Sequence, residues 1–267
     1  MSDISILIQG PLHENSMRES VLETYEKYGE VVVSTWDSPS PCKIPESFSA
    51  PFIVHPQPTL GGNVSGVLDG SSFYYATNSI LNGLAHVKTK YVIKTRSDEC
   101  FSNFEPLIEP FLEDPDRLVC ANIFARAWDD KPYHIGDHIF MARTDLLRSG
   151  LNHLVAMQSG FLPLESWAAE GAKPGNFLDA TCEVVLALSF LWAKGILQPG
   201  PTWWQDQNIN NIDTFKDNFH IVNVNELDGY RLRRSGAKKE WYKGQPDYPD
   251  DLFSNHHAVD TMDDATS

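Results

Sequence analysis

The stretch ISILIQGP, residues 4–11, has the pattern of a short buried strand that ends in a loop, because its hydrophobic run stops at a Gly-Pro pair. A helix is predicted next, since Ser16 and Glu19 have capping-box spacing and Gly29 supplies a stop. The hydrophobic run EVVVSTWDS, residues 30–38, then predicts a second strand. This order of strand, helix and strand is typical of a parallel sheet built by right-handed crossovers.

The same alternation continues to about residue 148. Strands are predicted in PFIVHPQ (51–57), YVIKTRSDE (91–99), RLVCANIFA (117–125) and HIGDHIFMA (134–142), and helices over residues 73–87 and 104–114. Beyond this point, the clearest elements are a helix over residues 177–195 and a strand in FHIVNV (219–224), while residues 199–213 are predicted to form a loop. The sequence therefore predicts an α/β fold with a central, mostly parallel sheet flanked by helices and a more helical C-terminal half.

The chain length and composition predict one domain. Apolar residues make up 42% of the 267 residues, which is enough for a substantial core. Residues 1–257 are assigned to this domain, with an α/β half at 1–148 and a second half at 149–257. The final segment, residues 258–267, is small, polar and acidic, and is predicted to be a disordered tail.

The charge pattern excludes general nucleic-acid binding. The chain has 21 Lys and Arg against 36 Asp and Glu, a net charge of −15, without a basic stripe. A cytoplasmic protein is expected, because no basic segment precedes a hydrophobic run at the amino terminus and the longest apolar run, residues 184–193, is too short to span a bilayer. The four cysteines form no Cys-x-x-Cys pair and are predicted to be free thiols.

Charged residues occupy the carboxyl-terminal part of the strand predicted over residues 91–99. In an extended strand Lys94, Arg96 and Asp98 share one face, and charges on a central strand cannot be buried without partners. We therefore expect them near the carboxyl end of the strand, where ligands bind in open α/β sheets. A carboxylate there can hold a divalent cation, and Lys or Arg can neutralise phosphate. A salt bridge between Arg and Asp, with no ligand, is the alternative.

Three motifs in order carry a family resemblance. ILIQGP near the start, KYVIKTRSD near residue 95 and GDHIFMARTDLL near residue 140 together resemble the WavE-type glycosyltransferases of lipopolysaccharide synthesis, a family similar to the GT-A fold sugar-nucleotide enzymes. The resemblance covers residues 4–147 and extends more loosely to about residue 192. It implies a GT-A-like fold whose first half binds a nucleotide diphosphate sugar and whose second half faces a glycan acceptor.

The resemblance also implies donor-binding residues. Gln9, Gly10 and Pro11 would form the loop that holds the nucleotide, and Asp37, after the second strand, would lie near the base or ribose. A tight turn and a turn-forming Asp are the alternative interpretations. At the charged strand end, the donor-binding residues implied are Lys94, Arg96 and Asp98.

A divalent cation, Mn or Mg, is the cofactor that the resemblance implies. Asp98 takes the place of the last acid of the Asp-x-Asp metal motif, but Arg96 replaces the first acid and repels a cation. Two outcomes stay open. Either Asp98 holds the metal with help from a later ligand such as His256 or His257, or Arg96 and Lys94 replace part of the metal's charge.

An inverting glycosyltransferase needs a carboxylate that removes the proton of the acceptor hydroxyl. Glu183, in the first turns of the helix at residues 177–195, occupies the place that the resemblance implies, and Asp179 is the expected N-cap. Asp137 is the competing base, or part of a turn that orients His138. Further candidates are Trp203 and Trp204 for stacking on acceptor sugars, and Arg231, Arg233 and Arg234 for closing over the diphosphate.

The leading hypothesis is an inverting glycosyltransferase that uses a nucleotide diphosphate sugar and a glycan acceptor, such as a polysaccharide, lipopolysaccharide or glycoprotein glycan. No nucleic-acid partner and no transmembrane segment are expected, and peripheral membrane association is compatible with this class. Two alternatives are open. A sugar nucleotidyltransferase would use the same half-sheet, but the segment QGPLHENSM lacks the basic, Gly-rich signature of that class. A carbohydrate-binding or scaffold module without catalysis is the other alternative, and the replacement of the first acid of the metal motif by Arg96 favours it.

Overall fold

The computed structural model describes residues 3–12, 19–37, 48–56, 70–123, 125–126, 128, 132–158, 182–197, 211–228, 230–232 and 238–240. Within these residues the strands are β1 (Ile4–Gln9), β2 (Glu30–Trp36), β3 (Phe52–His55), β4 (Tyr91–Arg96), β5 (Glu99–Cys100), β6 (Leu118–Ala121), β7 (Phe140–Arg143), β8 (Phe219–Val222), β9 (Tyr230–Leu232) and β10 (Lys238–Glu240). The helices are α1 (Glu19–Glu26), α2 (Gly70–Leu84), α3 (Glu105–Glu113), α4 (Thr144–Gln158), α5 (Cys182–Ala193) and α6 (Ile212–Asn218), and residues Val224–Leu227 form a 3-10 turn.

Seven strands form one sheet in the order β3-β2-β1-β4-β7-β6-β8. All neighbouring strands are parallel except β7, which runs antiparallel to β4 and to β6. The predicted fold class, a central and mostly parallel α/β sheet flanked by helices, is confirmed. Since β1, β2 and β4 are parallel neighbours, their carboxyl ends meet at one edge of the sheet, where open α/β sheets bind ligands.

Alternation along the strands divides the core between the two faces of the sheet. On β1, Leu7 belongs to the hydrophobic cluster that contains buried residues of α2, α4 and α5, while Ile6 and Ile8 belong to the cluster that contains residues of α1 and α3. Val92 and Ile93 on β4 divide in the same way. Both faces of the central strands are therefore covered, which leaves the strand ends as the place where polar side chains can meet a ligand.

Three parts of the fold differ from the prediction. The strand predicted over residues 134–142 begins at Phe140, and the preceding residues form a loop in which Tyr133 has a φ of 60°. Residues 211–218, partly assigned to a loop from sequence, include α6, and Asn211 is its N-cap because its side chain accepts a hydrogen bond from the Asp213 N–H at 2.9 Å. A small antiparallel sheet in the order β10-β9-β5 was not predicted at all.

Over the residues described, no helix combines the length and the apolar character needed to cross a bilayer.

The cysteine interpretation is supported where the structure describes the side chains. Cys100 and Cys120 are both buried free thiols. Burial is the main cause that raises the pKa of Cys120 to about 12, so its thiol stays protonated at neutral pH. Cys42 and the side chain of Cys182 lie outside the described residues.

We expect Cys120 to be protected from alkylation in the folded protein. Only the thiolate form reacts with iodoacetamide, and at pH 8 little of the Cys120 thiol is in that form. Together with burial in β6, this should slow labelling at least about 100-fold relative to the urea-unfolded chain. Peptide mapping by mass spectrometry would measure the two rates. Labelling at similar rates in the two states would mean that β6 opens locally and would contradict the expectation.

Candidate functional site

The loops that follow β1 and β4 are bonded to each other at the carboxyl edge of the sheet. The carbonyl of Gln9 accepts a hydrogen bond from the Ser97 N–H at 2.9 Å, and the Ser97 hydroxyl donates to the Pro11 carbonyl at 2.7 Å. Gly10 has a φ of 126°, and a Cβ built there would lie 2.9 Å from the Ser97 hydroxyl oxygen. The loop predicted to hold a nucleotide therefore lies directly beside the end of β4.

Arg96 and Asp98 form a two-pronged ion pair just beyond β4. Arg96 Nε lies 2.8 Å from Asp98 Oδ1, and Arg96 Nη2 donates to Asp98 Oδ2 at 3.0 Å. The side chains are 32% and 19% exposed, so the pair lies at the rim of the sheet rather than in its interior. Burial alone would lower the pKa of Arg96, but the negative charges of Glu99 and Asp98 outweigh burial and raise it.

Two residues that the sequence analysis did not assign join this pair. The carboxylate of Glu99 is fully buried, and its Oε1 lies 2.5 Å from His138 Nδ1 and 3.5 Å from Arg96 Nε. On the other side of the imidazole ring, His138 Nε2 lies 3.8 Å from Asp137 Oδ1. These contacts bring Arg96, Asp98, Glu99, Asp137 and His138 into one group, which we call the rim cluster. The signals in the sequence were Glu99 directly after Asp98 and His138 directly after Asp137.

Lys94 supports the rim cluster from inside the sheet. Its side chain is buried, and its ammonium group donates to the carbonyl of Asp137 at 2.6 Å and to that of His138 at 3.4 Å. The same ammonium lies 5.5 Å from the centre of the Phe140 ring. A buried ammonium needs such partners, and these carbonyls belong to the loop that precedes β7. Lys94 therefore fixes the loop that carries Asp137, and its predicted contact with a donor phosphate stays a prediction.

The two carboxylates proposed as the base lie in different surroundings. Asp137, whose side chain is 22% exposed, belongs to the rim cluster. Glu183 is in the first turn of α5, is 14% exposed, and has its Oε2 3.7 Å from Nε2 of the buried His134. Asp37 follows β2 at the same edge of the sheet, with an exposed side chain and a backbone N–H that donates to the His55 carbonyl at 2.9 Å.

Several predicted site residues belong to segments that the structure does not describe. His256, His257, Trp203, Trp204, Arg233 and Arg234 lie outside the described residues, as does the proposed N-cap Asp179. For Arg231 the backbone is described: it pairs with Glu99 where β9 lies against β5. Arg231 is therefore joined through its backbone to the residue that follows Asp98.

A divalent cation does not fit the described residues around Asp98. Both carboxylate oxygens of Asp98 face nitrogens of Arg96, at 2.8 and 3.0 Å. A cation bound there would displace the guanidinium group and would then lie beside its positive charge, whereas hard cations require several free oxygen ligands. Among the side chains described, no group of three or more His, Cys, Asp or Glu is arranged to hold a metal ion.

No family model and no curated protein matches the chain. Among solved structures, that of glucosyl-3-phosphoglycerate synthase from Mycobacterium tuberculosis with Mn2+, UDP and phosphoglyceric acid is 16% identical with a TM-score of 0.40, and the match spans 60% of this chain and 66% of that enzyme. Another structure of that synthase, with Mn2+, UDP-glucose and phosphoglyceric acid, is 14% identical with a TM-score of 0.40 and is matched over 73% and 80%. HddC from Yersinia pseudotuberculosis is 14% identical with a TM-score of 0.33, over 55% and 79%. Similarity this distant carries no argument about function.

Proposed function

We propose that this protein is an inverting glycosyltransferase, which moves a sugar from a nucleotide diphosphate sugar to a hydroxyl group of a glycan acceptor. The observation that carries the proposal is the rim cluster, in which a partly exposed Arg96 and two partly exposed carboxylates meet at the carboxyl edge of a mostly parallel sheet. Ligands bind at this edge in open α/β sheets, and guanidinium groups bind phosphate through paired N–H donors. The three sequence motifs support the same class.

The reaction needs two functions from the protein. The acceptor oxygen attacks the anomeric carbon, the bond from that carbon to the diphosphate oxygen breaks, and the electron pair leaves with the diphosphate. Arg96 would stabilise the departing diphosphate through charge-assisted hydrogen bonds. A carboxylate would take the proton of the acceptor hydroxyl. The loop of Gly10 and Pro11, bonded to Ser97 beside Arg96, would contact the nucleotide with its backbone.

Asp137 is our preferred base. It is 22% exposed and belongs to the same rim cluster as Arg96, and its negative charge contributes to the raised pKa of Arg96. A base must lie within hydrogen-bond reach of the acceptor oxygen, and that oxygen must reach the sugar carbon bonded to the diphosphate. A carboxylate close to the proposed diphosphate site satisfies this geometry better than Glu183, whose described partner is His134. The simpler interpretation of Glu183 is that its negative charge interacts favourably with the positive end of the helix dipole at the start of α5.

The finer assignments remain predictions. These are membership of the WavE-type family, a lipopolysaccharide, polysaccharide or glycoprotein acceptor, a cytoplasmic location and peripheral membrane association. The resemblance also implied a Mn or Mg ion held by Asp98 and His256, but the described residues around Asp98 do not fit a cation, and no step of the proposed reaction passes through one.

A thermal-shift screen tests the proposed function. We expect UDP, GDP or a corresponding nucleotide sugar at millimolar concentration to raise the melting temperature by several degrees, because a ligand that binds the folded state stabilises it by mass action. Asp98→Ala should reduce this shift, since the guanidinium group of Arg96 then loses the carboxylate that holds its orientation. The control substitution Asp145→Ala, which removes a partner of Arg143 at the opposite edge of the sheet, should leave the shift unchanged. If no nucleoside diphosphate produces a shift in the wild type, the proposed function is wrong.

A binding module without catalysis is the second candidate, and one observation favours it. The pairing of Asp98 with Arg96 leaves the described residues without the carboxylate pair that a metal-dependent enzyme needs. In the same screen, stabilisation by free oligosaccharides but by no nucleotide would support this module over the enzyme.

A further inference from the structure

We propose, on the basis of the proposed function, that the donor diphosphate binds without a divalent cation. In this arrangement Arg96 supplies the positive charge that faces the diphosphate. Asp98 acts as a positioning residue for the guanidinium group and does not bind a metal.

The first argument is that the oxygens of Asp98 are already used. Both face Arg96, at 2.8 and 3.0 Å, in the geometry of a bidentate pair between a guanidinium and a carboxylate. Glu99 adds a third contact, with its Oε1 3.5 Å from Arg96 Nε. Because guanidinium groups do not lose their proton in proteins, Arg96 remains a competitor for Asp98 at every physiological pH.

The second argument is that Arg96 retains donors for a ligand. A guanidinium group has five N–H donors, and the contacts to Asp98 use the Nε and Nη2 nitrogens. Among the described residues Nη1 has no hydrogen-bond partner, and the side chain is 32% exposed at the sheet edge. The pair with Asp98 holds the fork in one orientation, which lowers the ordering cost of binding a diphosphate.

The third argument concerns charge. The carboxylates of Asp98, Glu99 and Asp137 surround Arg96, but each has a described partner in Arg96 or His138. The ammonium group of Lys94, which donates to the carbonyl of Asp137, offsets part of their negative charge. A metal ion would have to break these contacts, whereas a diphosphate would add to the open side of Arg96. The arrangement therefore favours an anion at Arg96 over a cation at Asp98.

The chain offers a matched control for Arg96. Arg143 is also the last residue of a strand, pairs with the carboxylate two residues later, Asp145, at 3.0 and 2.6 Å, and is also 32% exposed. Because β7 is antiparallel to β4, its carboxyl end lies at the opposite edge of the sheet. Substitution of Arg143 removes the same kind of ion pair without touching the rim cluster.

Calorimetric titration of UDP and GDP in EDTA is the first test. We expect the wild type to bind one of them equally well in EDTA and in Mn2+, Arg96→Gln to bind about 10- to 100-fold more weakly, and Arg143→Gln to bind as the wild type does. Arg96→Lys, which keeps the charge but not the fork, should bind with intermediate affinity and shows whether a folded variant still loses binding. Binding that requires Mn2+ would overturn the inference and leave the proposed function standing. Absence of binding under both conditions would overturn both.

Binding of Mn2+ alone is the second test, and it does not depend on activity. Arg96→Asp creates two acids in the Asp-x-Asp spacing and removes the competing guanidinium group. We expect electron paramagnetic resonance to detect bound Mn2+ in Arg96→Asp and none at this site in the wild type, with circular dichroism confirming that both are folded. Loss of a wild-type Mn2+ signal on Asp98→Asn would show that Asp98 binds the metal and would contradict the inference.

Discussion

Asp137→Asn is expected to lower the turnover of nucleotide sugar by about 10²- to 10⁴-fold, the usual contribution of a positioned general base. The substitution keeps the size of the side chain and leaves Arg96 paired with Asp98, so the affinity for nucleoside diphosphate should be retained. Release of nucleoside diphosphate from a panel of nucleotide sugars, with water or a glycan as acceptor, measures turnover. Titration of the nucleoside diphosphate measures binding.

Glu183→Gln is the matched comparison for this prediction, because it changes the other candidate carboxylate in the same manner. We expect a much smaller fall in turnover, together with a small change in stability from the altered start of α5. If turnover collapses in Glu183→Gln and persists in Asp137→Asn, the assignment of the base must be exchanged between the two residues.

Gly136→Ala is expected to destabilise the fold by about 3 kcal/mol, the upper part of the usual range for overpacking. A Cβ at this position would lie 1.9 Å from the carbonyl oxygen of Ala121, which is backbone of β6 and cannot rotate away. The loop would have to shift, and Asp137 and His138 follow directly after it. Urea unfolding would measure the loss of stability, and turnover should fall as well.

Gly195→Ala separates this steric effect from ordinary backbone strain. Gly195 has a φ of 71°, and nothing lies within 4 Å of a Cβ built there. We expect a cost of about 1 kcal/mol from the left-handed conformation alone and normal turnover. Equal losses of stability in the two variants would mean that the loop at Gly136 relaxes easily and does not hold the rim cluster.

The central part of the fold was predictable because its signal is local. The hydrophobic runs of β1, β2 and β4 are buried on both faces, and such strands have the same sequence pattern wherever they pair. The alternation of strands and helices then predicted a mostly parallel sheet, but the pairing of β1 with β4, which brings the loop of Gly10 to the end of β4, came from the structure. The small sheet was not predictable, because β5 contributes two residues and β9 and β10 three each.

The sequence predicted Arg96 and Asp98 as site residues, because they are charged residues at the end of a buried strand. It did not predict which residues distant in the chain contact them. Arg96 and Asp98 are two residues apart, so a salt bridge between them was one of the two interpretations open from sequence. Glu99 and His138 are 39 positions apart in the chain, and nothing in either segment indicates that they lie 2.5 Å from each other. The sequence also did not show that the ammonium group of Lys94 bonds to the backbone carbonyls of Asp137 and His138.

The sequence by itself determined an α/β sheet and placed Arg96 and Asp98 at the carboxyl end of a strand. The hydrophobic run locates the strand, and the direction of the chain shows that these charged residues come at its end. Only the tertiary structure decided that β7 runs antiparallel beside β4, a pairing that brings the loop of Asp137 and His138 to the same edge. The physical reason is that side-chain partners across strands depend on strand order and direction, and these are set by packing of the whole core rather than by any one segment.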